Sequence, residues 1–95
     1  MRAAGGAMHG VGIDDGDVLL VDRAITAVHG AIVIAVVDGE LLCRRLETSG
    51  ARAGRATGQA RLVAADDATL PIDFGQAVPL EVWGVVTTVI KSLTF

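Results

Sequence analysis

Apolar residues in this chain fall into short runs separated by acidic, glycine-rich or proline-containing turns, a pattern that suits strands better than amphipathic helices. The first run is Val18, Leu19, Leu20 and Val21, bounded by Asp17 and Asp22 and preceded by a tight DDGD segment at residues 14–17. An unbroken apolar run of this length predicts a strand covered on both faces. Residues 31–37, AIVIAVV, are mostly β-branched and are followed by Asp38 and Gly39. Both turn residues tolerate the positive φ that a two-residue type I′ turn demands. Residues 40–46 are therefore expected to return antiparallel, giving a hairpin over residues 31–46.

Residues 47–59, ETSGARAGRATGQ, show no hydrophobic period and are rich in small and turn-forming residues. They read as an exposed, mobile loop. Residues 60–65 and residues 72–74 are expected as two short strands joined by a turn through residues 66–71. Residues 82–90, VWGVVTTVI, predict a long final strand. Gly84 interrupts it, the sign of a bulge or of a close backbone approach. No stretch carries a 3.6-residue period long enough for a substantial helix, and there is no internal repeat or heptad. The expected fold is mainly β, built from short and mostly antiparallel strands.

With 95 residues, 52% of them hydrophobic, the chain suits one small domain spanning residues 1–95. Its aromatics are only Phe74, Trp83 and Phe95, so the core has to be packed from small branched side chains. Eight basic residues against eleven acidic ones give a net charge of -3, which supplies no field to draw in nucleic acid. A protein partner is the better expectation. Cys43 is the only cysteine and lies in an apolar run, where it reads as a small buried side chain. The first ten residues lack an apolar segment of signal-peptide length, and residues 31–37 are far too short to span a bilayer. A cytoplasmic location with no membrane association is expected.

Three stretches in fixed order carry a resemblance to a known family. They are GGAM at residues 5–8, GIDDGDVLLVDRAITAVHGAIVIAVVDGELLCRRL at residues 12–46, and LEVWGVVTTVIKSL at residues 80–93. The DGD turn, the HGxIVIA strand and the VDGE hairpin occur together at family spacing. The chain resembles the C-terminal domain of the LexA/UmuD family of self-cleaving SOS-response serine peptidases, and it is closer to UmuD than to LexA. The resemblance implies the small β fold of that domain.

The family's chemistry needs a serine hydroxyl as nucleophile and an uncharged, desolvated lysine amine to take its proton. Matching GGAM to the family's G-x-S-M motif puts Ala7 at the nucleophile, and matching the returning hairpin strand to its V-K-[KR]-L segment puts Arg44 at the general base. A methyl group has no lone pair with which to attack a carbonyl. A guanidinium keeps its proton at any physiological pH. The resemblance therefore implies a degenerate catalytic pair and no functional catalytic residue. Among possible substitutes, Ser49 falls in the expected loop, while Lys91 and Ser92 are neighbours on a strand, where successive side chains point to opposite faces.

His9 and His29 accompany Asp14, Asp15, Asp17 and Asp22, but their spacing fits no metal template, and turn formation accounts for the aspartates. Neither metal nor cofactor is expected. The glycine-rich start has the wrong flanks for a phosphate-binding loop, so no nucleotide or other small-molecule ligand is expected. Arg44, Arg45, Arg52, Arg55 and Arg61 read as a solvated hairpin face and loop rather than as a nucleic-acid patch.

Only four residues precede Gly5, which leaves no room for the family's cleavage-site arm or for a repressor's helix-turn-helix, so the chain resembles the processed, UmuD′-like form. The role so implied is that of a non-catalytic homodimeric accessory subunit of a UmuC-like Y-family DNA polymerase, associated with DNA only indirectly. The dimer interface is expected on the final strand, through pairing of its edge, at Val82, Val85, Val89, Ile90, Leu93 and Phe95. Two other readings stand beside it: a Ser/Lys peptidase carried in an inactivated form, and the dimerisation module of a LexA-like repressor.

Overall fold

A computed structural model describes residues 1–49, 59–74 and 80–93. Six strands form one antiparallel sheet: β1 (Val18–Asp22), β2 (Ile32–Val37), β3 (Glu40–Ser49), β4 (Gln59–Val63), β5 (Ile72–Phe74) and β6 (Glu81–Ile90). Their order across the sheet is β1-β6-β2-β3-β4-β5. Among the described residues the one helical element is a single 3₁₀ turn, His9–Val11.

The β2–β3 hairpin forms where residues 31–46 predict it. Val37 pairs with Glu40 across Asp38 and Gly39, whose φ values of 51° and 79° are those of a type I′ turn. β3 then continues past Leu46, because Glu47, Thr48 and Ser49 pair with Arg61, Ala60 and Gln59. The expected loop over residues 47–59 is thus strand at both ends, and residues 50–58 lie outside the described residues. β4 stops at Val63 rather than Ala65. Ala65 turns out of the sheet, giving its N–H to the Ala7 carbonyl and accepting from the Gly10 N–H.

β1 departs from its expectation. Leu19 is 1% exposed but Leu20 is 47% exposed, so only one face of this strand is covered. Met8 and Ile13 cluster with Leu19 on one face, and the Leu20 face is open to solvent along this edge strand. Its outer side is met at residues 17–19 by the N-terminal residues, with Ala3 N–H on the Asp17 carbonyl at 2.7 Å and Leu19 N–H on the Met1 carbonyl at 2.6 Å.

β6 lies between β1 and β2, pairing with β2 over residues 81–85 and with β1 over residues 85–90, so that only Val85 has a strand partner on both sides. Two irregularities bend it. Opposite β2 the register skips Trp83, and opposite β1 it skips Thr87. Gly84 beside the first bulge is the close approach that the sequence signals: a Cβ there would sit 2.5 Å from Val21 Cγ1. The bulged Trp83 carbonyl accepts from Arg23 Nε at 3.0 Å, and the Arg23 guanidinium stacks over the Trp83 ring.

The sheet buries apolar side chains on both faces, as alternation along β2 requires. Val33 and Ala35 join Leu46, Leu62, Phe74 and Val85 on one face. Ile34 joins Leu19 on the other, where Met8 and Ile13 from the N-terminal segment close over them. Residues 1–17 therefore form the lid of the second face. Among the described residues no helix is long and apolar enough to cross a membrane.

Candidate functional site

The lid and the hairpin enclose a cleft of about 480 Å³. Residues 2–8 form one wall, Leu41, Leu42, Cys43 and Arg44 of β3 form another, and Asp66 and Thr69 stand at the rim, with Ile13, Leu19 and Ile34 also lining it. Ala7 and Arg44, far apart in sequence, thus border the same cavity.

Each wall has a local cause. Met8 is 3% exposed and anchors the GGAM segment to the core. The Gly5 N–H donates to Asp15 Oδ1 at 2.8 Å, and Ala65 N–H donates to the Ala7 carbonyl at 2.6 Å. These bonds hold Ala7 between the DDGD turn and the end of β4. Arg44 is carried by the hairpin, half-buried, with Nη1 donating to the Cys43 carbonyl at 2.7 Å. Asp66 accepts from the Thr69 N–H and hydroxyl at 2.7 Å each and from the Ala68 N–H at 3.2 Å. The Thr69 hydroxyl bond and these amides hold the Asp66 carboxyl below the usual carboxylate range.

These groups do not assemble a nucleophile with its base. Ala7 offers a methyl and Arg44 a permanent cation. The Cys43 thiol is half-buried, and burial pushes its pKa up, which keeps it protonated and unreactive. Thr69 donates to a carboxylate whose affinity for protons is lowered, so that carboxylate is a poor base for it.

A second cluster sits beside the lid. Lys91 Nζ donates to Asp14 Oδ2 at 2.9 Å and to Asp17 Oδ2 at 2.5 Å, while His9 Nδ1 meets Asp14 Oδ1. The buried Asp17 carboxylate also accepts the Asp14 N–H at 2.7 Å. Hydrogen bonds from His9 and Lys91 lower the Asp14 pKa, those from Lys91 and the Asp14 amide lower that of Asp17, and the two aspartates raise that of Lys91. Lys91 is thus held as a cation, the wrong form for a general base. It clips the end of β6 to the DDGD turn. No group of three or more metal-ligating side chains occurs among the described residues.

Comparison with known proteins matches this arrangement to one family. The Peptidase S24-like family model covers residues 1–87. The chain belongs to the Peptidase S24-like family. The LexA repressor of Dechloromonas aromatica is 36% identical to it over 93 residues, 97% of this chain and 43% of the repressor. Protein ImpA of Salmonella typhimurium is 50% identical over 46 residues, 48% of this chain and 32% of ImpA. Protein MucA of Escherichia coli is 48% identical over 46 residues, with the same shares. The chain therefore spans less than half the length of these curated relatives, and it falls in the LexA/UmuD grouping.

Within this S24-like chain the remaining candidates are placed as follows. Val85 is 8% exposed and belongs to the core, Val82 and Val89 are partly buried against it, and Ile90 and Leu93 are 49% and 92% exposed. Phe95 lies outside the described residues, as do Arg52 and Arg55. Arg45 pairs with Glu47 at 3.8 Å and Arg61 with Asp73 at 2.8 Å, so each has an acidic partner of its own. His29 is exposed, and its Nδ1 accepts the Thr48 N–H at 3.0 Å. Two features escaped sequence reasoning. Asp66 and Thr69 read as an ordinary turn, although an Asp followed three residues on by Thr is the signature of the hydrogen-bonded turn that walls the cleft. The Lys91 clip has no local signal, because its partners lie at the other end of the chain.

Proposed function

We propose that this chain is a single LexA/UmuD C-terminal-like domain over residues 1–95 and acts as a non-catalytic, UmuD′-like SOS-mutagenesis protein. In this reading it is a cytoplasmic, dimeric accessory subunit of a Y-family translesion polymerase. The observation that carries the loss of catalysis is the meeting of Ala7 and Arg44 in one cleft, where the family pattern calls for a serine and a lysine. The similarity to ImpA and MucA, over 46 residues of the chain, supports the UmuD side of the family.

The dimer surface in this reading lies on the final strand, whose residues 86–90 pair only with β1 among the described strands, and on one face of the β1–β6 pair. Val18 opposes Ile90 and Leu20 opposes Thr88, so Leu20 and Ile90 share one face of the β1–β6 pair, and both are about half exposed. Leu93, past the end of β6, is 92% exposed. A second reading, the dimerisation module of a LexA-like repressor, is favoured by a specific observation: the LexA alignments run nearly the whole length of the chain.

A pull-down against the host's Y-family polymerase, with light scattering after size exclusion on the same sample, separates the two. A dimer that retains the polymerase is expected. A chain that dimerises but ignores the polymerase moves the assignment to the repressor module.

A further inference from the structure

The cleft is lined by positive charge that has no salt bridge among the described residues. Arg44 is half-buried, yet it makes no salt bridge among the described residues. Asp66 lies within electrostatic reach, but its carboxylate is turned to the amides and hydroxyl of its own turn. Arg2, the other guanidinium bordering the cavity, donates to the Gly16 carbonyl at 3.2 Å. Two guanidinium groups thus face a single lining carboxylate.

Arg44 spends one N–H on the Cys43 carbonyl, which leaves most of its planar fork of donors unused. A partly desolvated cation is stabilised by a counter-ion, and the fork matches a carboxylate in bidentate fashion. Gly6 and Ala7 line the opposite wall, and their amides donate to no other described residue. The floor is apolar, with Ile13, Leu19 and Ile34 all nearly inaccessible to solvent. The volume of about 480 Å³ lies within the range of small-ligand pockets.

We propose that this cleft is a peptide-carboxylate binding site. Arg44 and the amides of Gly6 and Ala7 hold the carboxylate of an extended peptide, and the accessible apolar lining at Leu41 takes the aliphatic side chain beside it. The carboxylate is either a chain terminus or an acidic side chain, since the two present the same group to a guanidinium. The site does not depend on the polymerase partnership: a chain that binds the peptide acid and ignores the polymerase defeats only the functional reading above.

Three probes test it by NMR titration of the ¹⁵N-labelled full chain. They are acetyl-Ala-Val-Leu as the free acid, the same peptide as its C-terminal amide, and acetyl-Ala-Glu-Leu amide. The free acid is expected to shift the Gly6, Ala7, Cys43 and Arg44 resonances, and its amide to bind about tenfold or more weakly. Arg44→Gln should lose the preference for the acid, and Arg44→Lys should retain part of it, because lysine keeps the charge without the fork. Saturation by the glutamyl peptide assigns an acidic side chain as the occupant, and its failure beside a bound free acid assigns a chain terminus. Equal binding of acid and amide overturns the proposal. So does undiminished binding by a folded Arg44→Gln variant, or no binding by either carboxylate peptide. The acid–amide comparison uses the unmodified protein and stands whether or not the variants fold.

Discussion

Gly10 packs its backbone against Ala65, just past the end of β4, and replacing it with alanine gives a sharp test of how the cleft is held. The Gly10 N–H donates to the Ala65 carbonyl at 2.8 Å. A Cβ added at Gly10 would lie 2.5 Å from that same oxygen and 3.3 Å from the Ala65 carbonyl carbon and Cβ. The obstacle is backbone, and it is fixed from its other side by the bond from Ala65 N–H to the Ala7 carbonyl. No side-chain rotation relieves the contact, so the lid and strand end must part by about half an ångström, which stretches the Gly10–Ala65 bond past good geometry. Losing that bond costs about 1 kcal/mol, and overpacking adds about 1–3 kcal/mol. The reduced freedom of the unfolded chain on replacing glycine by alanine offsets about 0.4–1 kcal/mol. A net loss of about 2 kcal/mol is expected. For a domain of this size, with a urea m-value of about 1 kcal/mol/M, the midpoint should fall by about 2 M with no change in slope. Trp83, the only tryptophan, reports the transition by fluorescence. Gly6→Ala is the matched control, because a Cβ there meets nothing within 4 Å, and it should be neutral or slightly stabilising. If Gly10→Ala stays within about 0.5 kcal/mol of the parent, or Gly6→Ala loses as much, the contact argument is wrong.

Three further outcomes are expected. Lys91→Met should flatten the pH dependence of thermal stability on both sides. Asp14 and Asp17 have pKa values lowered from 3.8 on folding, so their contribution is present above that value and is lost as pH falls below it. Lys91 is raised from 10.5, so its contribution is present below that value and is lost as pH climbs through the folded-state value. Melting curves of parent and variant that keep the same shape from pH 3 to 11 would refute the clip. Leu62→Ala, at a position with no solvent exposure in the centre of one core face, should cost about 2–5 kcal/mol by equilibrium urea unfolding. A fluorophosphonate probe should label neither the parent nor Ala7→Ser, and should label the double variant Ala7→Ser, Arg44→Lys. Labelling of the single serine variant would show that Arg44 does not block the chemistry.

The hairpin and the turn that closes it were legible in the chain because their cause is local. β-branched residues favour the strands, and Asp38 and Gly39 supply the two positive φ values whatever surrounds them. The same holds for the irregularity around Gly84. Residues 5–8 and 44 were legible as a pair only through family resemblance, since nothing in their spacing brings them together. Folding does that, through the lid anchored by Met8 and the bond between Ala7 and Ala65.

Neighbourhood in the sheet was beyond the reach of the sequence. Val18, Leu19, Leu20 and Val21 read as a strand covered twice, yet β1 sits at an edge where Leu20 stays half exposed. β6 read as a closing strand, and in the fold it bridges β1 and β2, with Val85 buried in the chain's own core. Lys91 read as the neighbour of Ser92 on a strand, and it is the clip on Asp14 and Asp17. Apolar runs and turn residues report the conformation and burial tendency of each segment, which is short-range chemistry. Which strand lies next to which, and which charge finds which partner, depends on contacts between residues distant in the chain, and these exist only once the sheet has assembled.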